Sequence, residues 1–128
     1  MSSYMKPNMK AYKAGADLSA NQYHFVKWGT ADDEVILCGA NEAHCGVLMN
    51  APTSGQPAEV ALPGGGALLK LDEAISAAGS RLTCTAAGQG EAVDADGEIV
   101  SAIAYEAGAD GDVIEVYVTP AIKNGAAS

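Results

Sequence analysis

Cys38, His44 and Cys45 stand close together in the sequence, and thiolates and imidazoles are the ligands zinc prefers. A structural zinc site needs about four ligands with paired spacing. Here the spacing is Cys-x5-His-Cys, and a fourth ligand is missing. Alternation along Cys45–Asn50 puts Cys45, Val47 and Met49 on one face of a strand. The expectation is buried thiols in a core of small residues, with no metal. A nucleophilic pair could be assembled from Cys84 with His24 or His44. Thiolate chemistry needs an electropositive setting. This chain is acidic, and Cys84 lies between Thr83 and Thr85 in a strand-like run. A cysteine hydrolase built on Cys84 or Cys45 is therefore set aside, and no enzyme activity and no catalytic residue are expected.

The other constellations read the same way. Asp94, Asp96 and Glu98 alternate around Gly97 but lack the twelve-residue pattern and closing Glu of a calcium loop. Asp32-Asp33-Glu34 reads as a solvated acidic turn. A glycosidase pair of carboxylates stays open on residue types alone. No pair stands out, however, and the chain has one Trp and one Phe to serve as sugar platforms. Pro63-Gly64-Gly65-Gly66 has the glycines of a phosphate-cradling loop, but such a loop leads into a helix. Here the next residues, Ala67-Leu68-Leu69-Lys70-Leu71, have the pattern of a strand. A tight hairpin is expected there, with glycine supplying positive φ. No cofactor is expected.

The elements that position these residues are short β-runs. Tyr23–Trp28, Glu34–Cys38, Cys45–Asn50, Ala58–Leu62 and Ala67–Leu71 are separated by polar or glycine-rich turns. Arg81–Thr85, Gly90–Val93, Glu98–Tyr105 and Asp112–Val118 continue the series, with Pro120 expected to end it. The predicted fold class is all-β, a small sandwich or barrel.

The runs come twice. Residues 17–62 and 74–118 align at an offset of about 56 to 57. Leu18-Ser19-Ala20 meets Ile75-Ser76-Ala77, Glu34 meets Glu91, Gly55 meets Gly111, and Glu59-Val60 meets Glu115-Val116. Two copies are too few for a solenoid and suit a duplicated β-unit whose halves pack together. No titratable constellation recurs in both, so the duplication is one of packing units.

With 128 residues the chain suffices for one domain. Its net charge of −9 argues against nucleic acid, whose phosphates require Lys and Arg. No apolar run is long enough to span a bilayer, so no membrane partner is expected. The three cysteines and the lack of a signal peptide point to reduced, cytosolic synthesis. Charge is unevenly placed: residues 1–14 hold Lys6, Lys10 and Lys13 and no acid. This stretch is read as an extended basic N-terminal arm, with Ala11–Lys13 able to pair as an edge strand. The single β-domain then covers 15–120, and 121–128 form a loose tail. Within the arm, Tyr4, Lys6, Met9, Lys10, Tyr12 and Lys13 combine charge with contact area and are the expected binding residues.

The runs KAGADLSANQYHFVKW, CGVLMNAPTSGQPAEVALPGGGALLKL and EIVSAIAYEAGADGDVIEVYV resemble the small capsid decoration (cement) proteins of tailed bacteriophages, over roughly residues 10 to 118. The resemblance lies in structural features, a Gly-Val-Leu strand, an Ala-Pro or Ala-Gly loop and a Glu-Val strand, and brings no catalytic motif. It implies an all-β protein on the outside of an icosahedral head, made in the host cytoplasm. It also implies that the protein binds the major capsid protein and neighbouring copies of itself, with trimers one arrangement, and stabilises the head. Such relatives vary at their N-termini, so the arm residues rest on charge alone. The alternative expectation is a small virion-surface β-domain that binds carbohydrate or another ligand.

Overall fold

The computed structural model describes residues 8–40, 42–93 and 98–123. Among them are ten strands and no helix: β1 (Asn8–Ala14), β2 (Phe25–Trp28), β3 (Glu34–Leu37), β4 (Gly46–Leu48), β5 (Pro57–Leu62), β6 (Gly66–Lys70), β7 (Arg81–Cys84), β8 (Gly90–Ala92), β9 (Ile99–Ala104) and β10 (Val113–Lys123). The first five close into a barrel in the order β1-β3-β2-β4-β5, and the rest form a sheet in the order β6-β10-β9-β7-β8.

These orders are one order. Moving 56 residues along carries the pairs Val26–Gly46, Val47–Ala61 and Leu48–Val60 onto Leu82–Ala102, Ile103–Tyr117 and Ala104–Val116. The turns repeat as well. Thr53 N–H donates to Gln56 Oε1 at 2.9 Å, and Ala109 N–H to Asp112 Oδ2 at 2.9 Å. Glu59 N–H donates to Asn50 Oδ1 at 3.0 Å, and Glu115 N–H to Glu106 Oε2 at 2.9 Å. Amide and carboxylate side chains thus do the same job in the two halves, since each presents an acceptor oxygen. Gly55 and Gly111 hold the matching positive φ, 83° and 88°.

The offset drifts by single residues at the turns. It is 57 on β1, from Ala14 to Leu71, and 55 on β3, from Val35 to Gly90. Glu34 therefore matches Gln89, not Glu91: Gly29 N–H donates to Glu34 O and Thr85 N–H to Gln89 O, each at 2.8 Å. Between the matched positions Trp28 and Glu34 in the first half and Cys84 and Gln89 in the second, the second half has one residue fewer.

The halves differ at one seam. In the first, β1 and β3 run parallel with Lys13 opposite Glu34 and Ala14 opposite Val35. Lys13 N–H donates to Asp33 O at 2.7 Å. In the second, only the single bridge Leu71–Gly90 remains. Lys70, the match of Lys13, donates instead to Tyr23 O at 2.9 Å, and Gly88, the match of Asp33, accepts from Phe25 N–H at 2.7 Å. A segment of the first half is wedged into the seam of the second. Phe25, Val47 and Ala61, on the outer face of the barrel, are fully buried in one core with Leu69, Leu71, Leu82, Val116 and Val118. Burying Phe25 alone is worth roughly 1.5–3 kcal/mol. The barrel's own interior is a second cluster containing Tyr12, Ala14, Leu18, Val26, Val35, Leu48 and Val60.

Three boundaries differ from the sequence expectation. The arm expected over 1–14 is, from Asn8 on, a strand that pairs with β5 from Asn8–Leu62 to Lys13–Pro57. Its partner's main chain supplies the order that its own polar sequence does not encode. The last strand passes Pro120 and reaches Lys123, so 121–123 belong to the fold; residues 124–128 lie outside the described ones. Pro120 sits in the register shift between Val118 and Ile122, where no regular ladder bond is demanded of it. The Pro63–Gly66 turn is a crossover between the halves and not a hairpin, because β6 pairs with β10 and not with β5. Gly64, at φ 100°, donates its N–H to Val118 O at 2.9 Å.

Candidate functional site

Along β1, Tyr12 and Ala14 point inward while Asn8, Met9, Lys10, Ala11 and Lys13 are exposed. The inward residues are those that alternate on one face of a strand. The Tyr12 ring meets Trp28 edge-on, with centroids 5.0 Å apart and planes at 85°. The Lys10 ammonium lies 5.2 Å from the Tyr12 centroid, a cation–π contact. Burial, with the Cys45 thiol and the Asp33 carboxylate nearby, pushes the Tyr12 phenol up. Trp28 closes β2 and is 57% exposed. Such a large apolar surface left open is informative in a way that a scattered exposed Leu is not.

Behind Trp28 lies a recess of about 430 Å³ whose lining includes Tyr12, His44, Cys45, Leu62 and Pro120. A depression of about 330 Å³ beside it is bounded by Met9, Lys10, Ala11 and Glu59. β1 meets β3 only at Lys13 and Ala14. From Asn8 to Tyr12 that edge has no ladder partner among the described residues, and an open edge can accept a further strand.

His44 is the unusual group of the recess. It is 6% exposed, and neither ring nitrogen closes a hydrogen bond. Its ring stands edge-on to Phe25 at 5.2 Å. Burial pulls its pKa down to about 4, against a weak opposing pull from the nearby Thr119 main chain. The imidazole is therefore neutral at pH 7.

The three cysteines are buried and reduced. Burial holds the Cys45 thiol up at about 12. Contact with the Cys38 thiol, together with burial, keeps Cys84 protonated, and its Sγ lies 3.5 Å from Cys38 O across the junction of the halves. A nucleophile needs the thiolate, which is suppressed at Cys45 and Cys84, whereas the hydrogen bond from Cys84 pulls the Cys38 thiol down against its burial. Among the described residues no three of His, Cys, Asp and Glu gather to hold a metal ion. Asp94 and Asp96 lie outside those residues. Cys38 and His44 flank a loop in which Glu42 accepts from Lys27 Nζ at 2.8 Å and from Gly39 N–H at 2.7 Å.

Of the residues singled out in the sequence, Met9, Lys10, Tyr12 and Lys13 share one strand, and Lys10 and Tyr12 join one aromatic cluster. Tyr4 and Lys6 lie outside the described residues. Sequence reasoning did not select Trp28 and His44 for this site. The available signal was period two from Val26, which puts the chain's single Trp on the barrel face at the end of a short strand.

Two five-stranded units in one order, joined by a crossover, define a fold shared with a bacteriophage head protein. The chain is similar to the head fiber gp8.5 N base of bacteriophage phi29, with 16% identity over 93% of this chain and 100% of that chain and a TM-score of 0.70. At that identity the likeness is one of fold. No protein-family model and no curated protein sequence matches the chain.

Proposed function

We propose that this chain is a bacteriophage virion structural protein: a capsid decoration (cement) protein that binds the outside of the icosahedral head, stabilises contacts between major capsid protein subunits and performs no catalysis. The observation that carries this reading is the fold shared, over nearly the whole chain, with a phage head fiber base. The suppressed Cys45 and Cys84 thiols and the duplication of packing units without a duplicated site support it. The contact surface is the open edge of β1 with Met9, Lys10 and Lys13, and the Trp28–Tyr12 pair beside it. Partners are the major capsid protein and neighbouring copies of this chain. Each contact can be modest, because repetition on a lattice multiplies it.

The test uses heads assembled without this chain and then supplied with it. Binding visible by electron microscopy, with a raised temperature of head disruption, is the expected result. Trp28→Ala combined with Lys10→Glu should lower occupancy while leaving the chain folded. Heads that neither bind the chain nor gain stability overturn the reading. A second reading, a virion-surface domain that binds carbohydrate, is favoured by one observation: an exposed Trp beside a recess with an unpartnered imidazole. A glycan array on the isolated chain tests it, and no bound glycan removes it.

A further inference from the structure

The duplication allows the Trp28 recess to be compared with its match in the second half. Tyr12, Trp28 and Leu62 line the recess. Their matches in the second half are Leu69, Cys84 and Val118. None of those three is more than 1% exposed, and all lie in the core cluster that contains Phe25, Val47 and Ala61 from the barrel's outer face. In the second half, then, the opening that corresponds to the Trp28 recess is covered by the outer face of a neighbouring unit.

The second half has that outer face too. Moved by 56 residues, Phe25, Val47 and Ala61 become Arg81, Ile103 and Tyr117. Arg81 is exposed, and Ile103 and Tyr117 are half-buried, with Tyr105, 41% exposed, beside them. The charges match as well. Inside the molecule Phe25 meets Gly88, with Phe25 N–H donating to Gly88 O at 2.7 Å. The match of Phe25 is Arg81, and the match of Gly88 is Asp33, which is exposed next to the exposed Asp32. Repeating the internal contact between two molecules sets a guanidinium against an acidic turn.

We propose that the Trp28 recess of one copy receives the Arg81–Ile103–Tyr117 face of a second copy, in a head-to-tail contact that repeats the junction between the two halves. The seam of the first barrel is already closed by the Lys13–Asp33 hydrogen bond of 2.7 Å. The second copy therefore docks by side chains over a closed seam and does not wedge into it, so the contact is weaker than the internal one and depends on concentration. Because the two surfaces differ, the contact is heterologous and builds a ring or an open row according to its rotation. This deepens the part of the functional reading in which copies touch. Its test is done without heads, so the two fail separately.

The full chain is studied by sedimentation equilibrium from micromolar to millimolar concentration, with the emission of Trp28, the single Trp, recorded alongside. The expected result is a mass above the monomer that rises with concentration, with a blue shift of the emission as Trp28 is covered. Arg81→Glu and Asp33→Arg should each weaken association by about tenfold or more, because each sets like charges together. The two combined should restore it to within a few-fold of the starting protein. Asp33→Asn, which suits the positive φ of that position, removes the charge with the backbone undisturbed and should weaken association by a few-fold. A monomer at every concentration, or an association that ignores both charge reversals or is not restored by combining them, overturns the proposal. Head binding by a strictly monomeric chain would leave the functional reading standing and this contact refuted.

Discussion

At position 25 the first half carries phenylalanine, and at the matching position 81 the second carries arginine. The strand order is the same on either side of the comparison, and at this position so is the register, Phe25 opposite Val47 and Arg81 opposite Ile103. What differs is the surroundings: Phe25 is fully buried against the second half, and Arg81 faces solvent. The same contrast recurs at the seam, where Asp33 closes the first barrel directly and Gly88 lets a segment of the first half in. A Cβ on Gly88 would lie 2.5 Å from Leu37 Cδ1 and 3.3 Å from Phe25 O, and the φ of Gly88 is 78°, so the wedge favours a glycine there. Duplicated units thus become one molecule through a few positions that make one copy a plug and the other a socket.

The largest effect is expected from erasing that distinction. Phe25→Arg puts an unpaired charge into the shared core and should cost more than about 4 kcal/mol. Arg81→Phe makes the opposite exchange on an open surface and should shift stability by less than about 0.5 kcal/mol. Urea titration followed by circular dichroism measures both. Equal losses would mean that the two outer faces are not distinguished in the way described.

The second comparison is His44, whose match in the second half is Val100. The folded pKa of about 4 lies below the ordinary 6.5 because of burial. Between pH 6.5 and about 4 the unfolded chain takes up a proton that the folded chain refuses, so stability falls as pH falls through that window. The loss approaches ~3 kcal/mol at its acid end. His24, also shifted down by burial, adds in the same direction. His44→Val should flatten most of this slope relative to the unaltered chain. A slope unchanged by the substitution would assign it to the carboxylates or to His24.

A third contrast is steric. Gly46 pairs with Val26 as Ala102 pairs with Leu82. A methyl at Gly46 would press on Ala61 O and lie 2.6 Å from Val60 Cγ1, whereas Ala102 carries its methyl fully buried. Gly46→Ala should cost about 2 kcal/mol by overpacking, and Ala102→Gly about 1 kcal/mol through lost burial and greater freedom of the unfolded chain. Thermal unfolding of the two variants decides whether the halves leave different room at one matched site.

These contrasts also show which parts of the fold could be read from sequence. The nine runs from Tyr23–Trp28 to Asp112–Val118 were legible because each is a short apolar-rich stretch between turn signals, and all but Ala67–Leu71 carry β-branched or aromatic residues. Of β1 only Ala11–Lys13 was legible as an edge strand; its start at Asn8 was not, since Asn-Met-Lys-Ala-Tyr-Lys-Ala has little apolar pattern and owes its order to β5, far along the chain. The partner of β6 was hidden for the same reason: a Pro-Gly-Gly-Gly turn looks alike whether the next strand folds back or crosses over. The duplication was visible, but its one-residue drift at the turns misaligned Glu34. At the site, the charge pattern singled out Lys10 and Tyr12. Period two from Val26 places Trp28 on the barrel face, but its exposure and the lack of a partner at His44 are tertiary features that the local sequence does not encode.

The smallest effects concern backbone conformation, and they separate folding from association. Tyr23 and Asp33 have φ of 67° and 60°, and their matches Gly79 and Gly88 have 89° and 78°. The first half thus places side chains where the second uses glycine, at a cost an L-residue bears in the left-handed region. At Gly79 no atom lies within 4 Å of an added Cβ, so Gly79→Ala should cost about 1 kcal/mol from backbone strain alone. Asp33→Gly relieves strain in the folded chain but frees the unfolded one, and the two nearly cancel, leaving a change within about 0.5 kcal/mol. Yet the same substitution removes the carboxylate that faces Arg81 in the head-to-tail contact. Calorimetry should show little change while sedimentation shows weaker association; a variant that associates as before would mean that the left-handed aspartate is a feature of the turn and plays no part in joining copies.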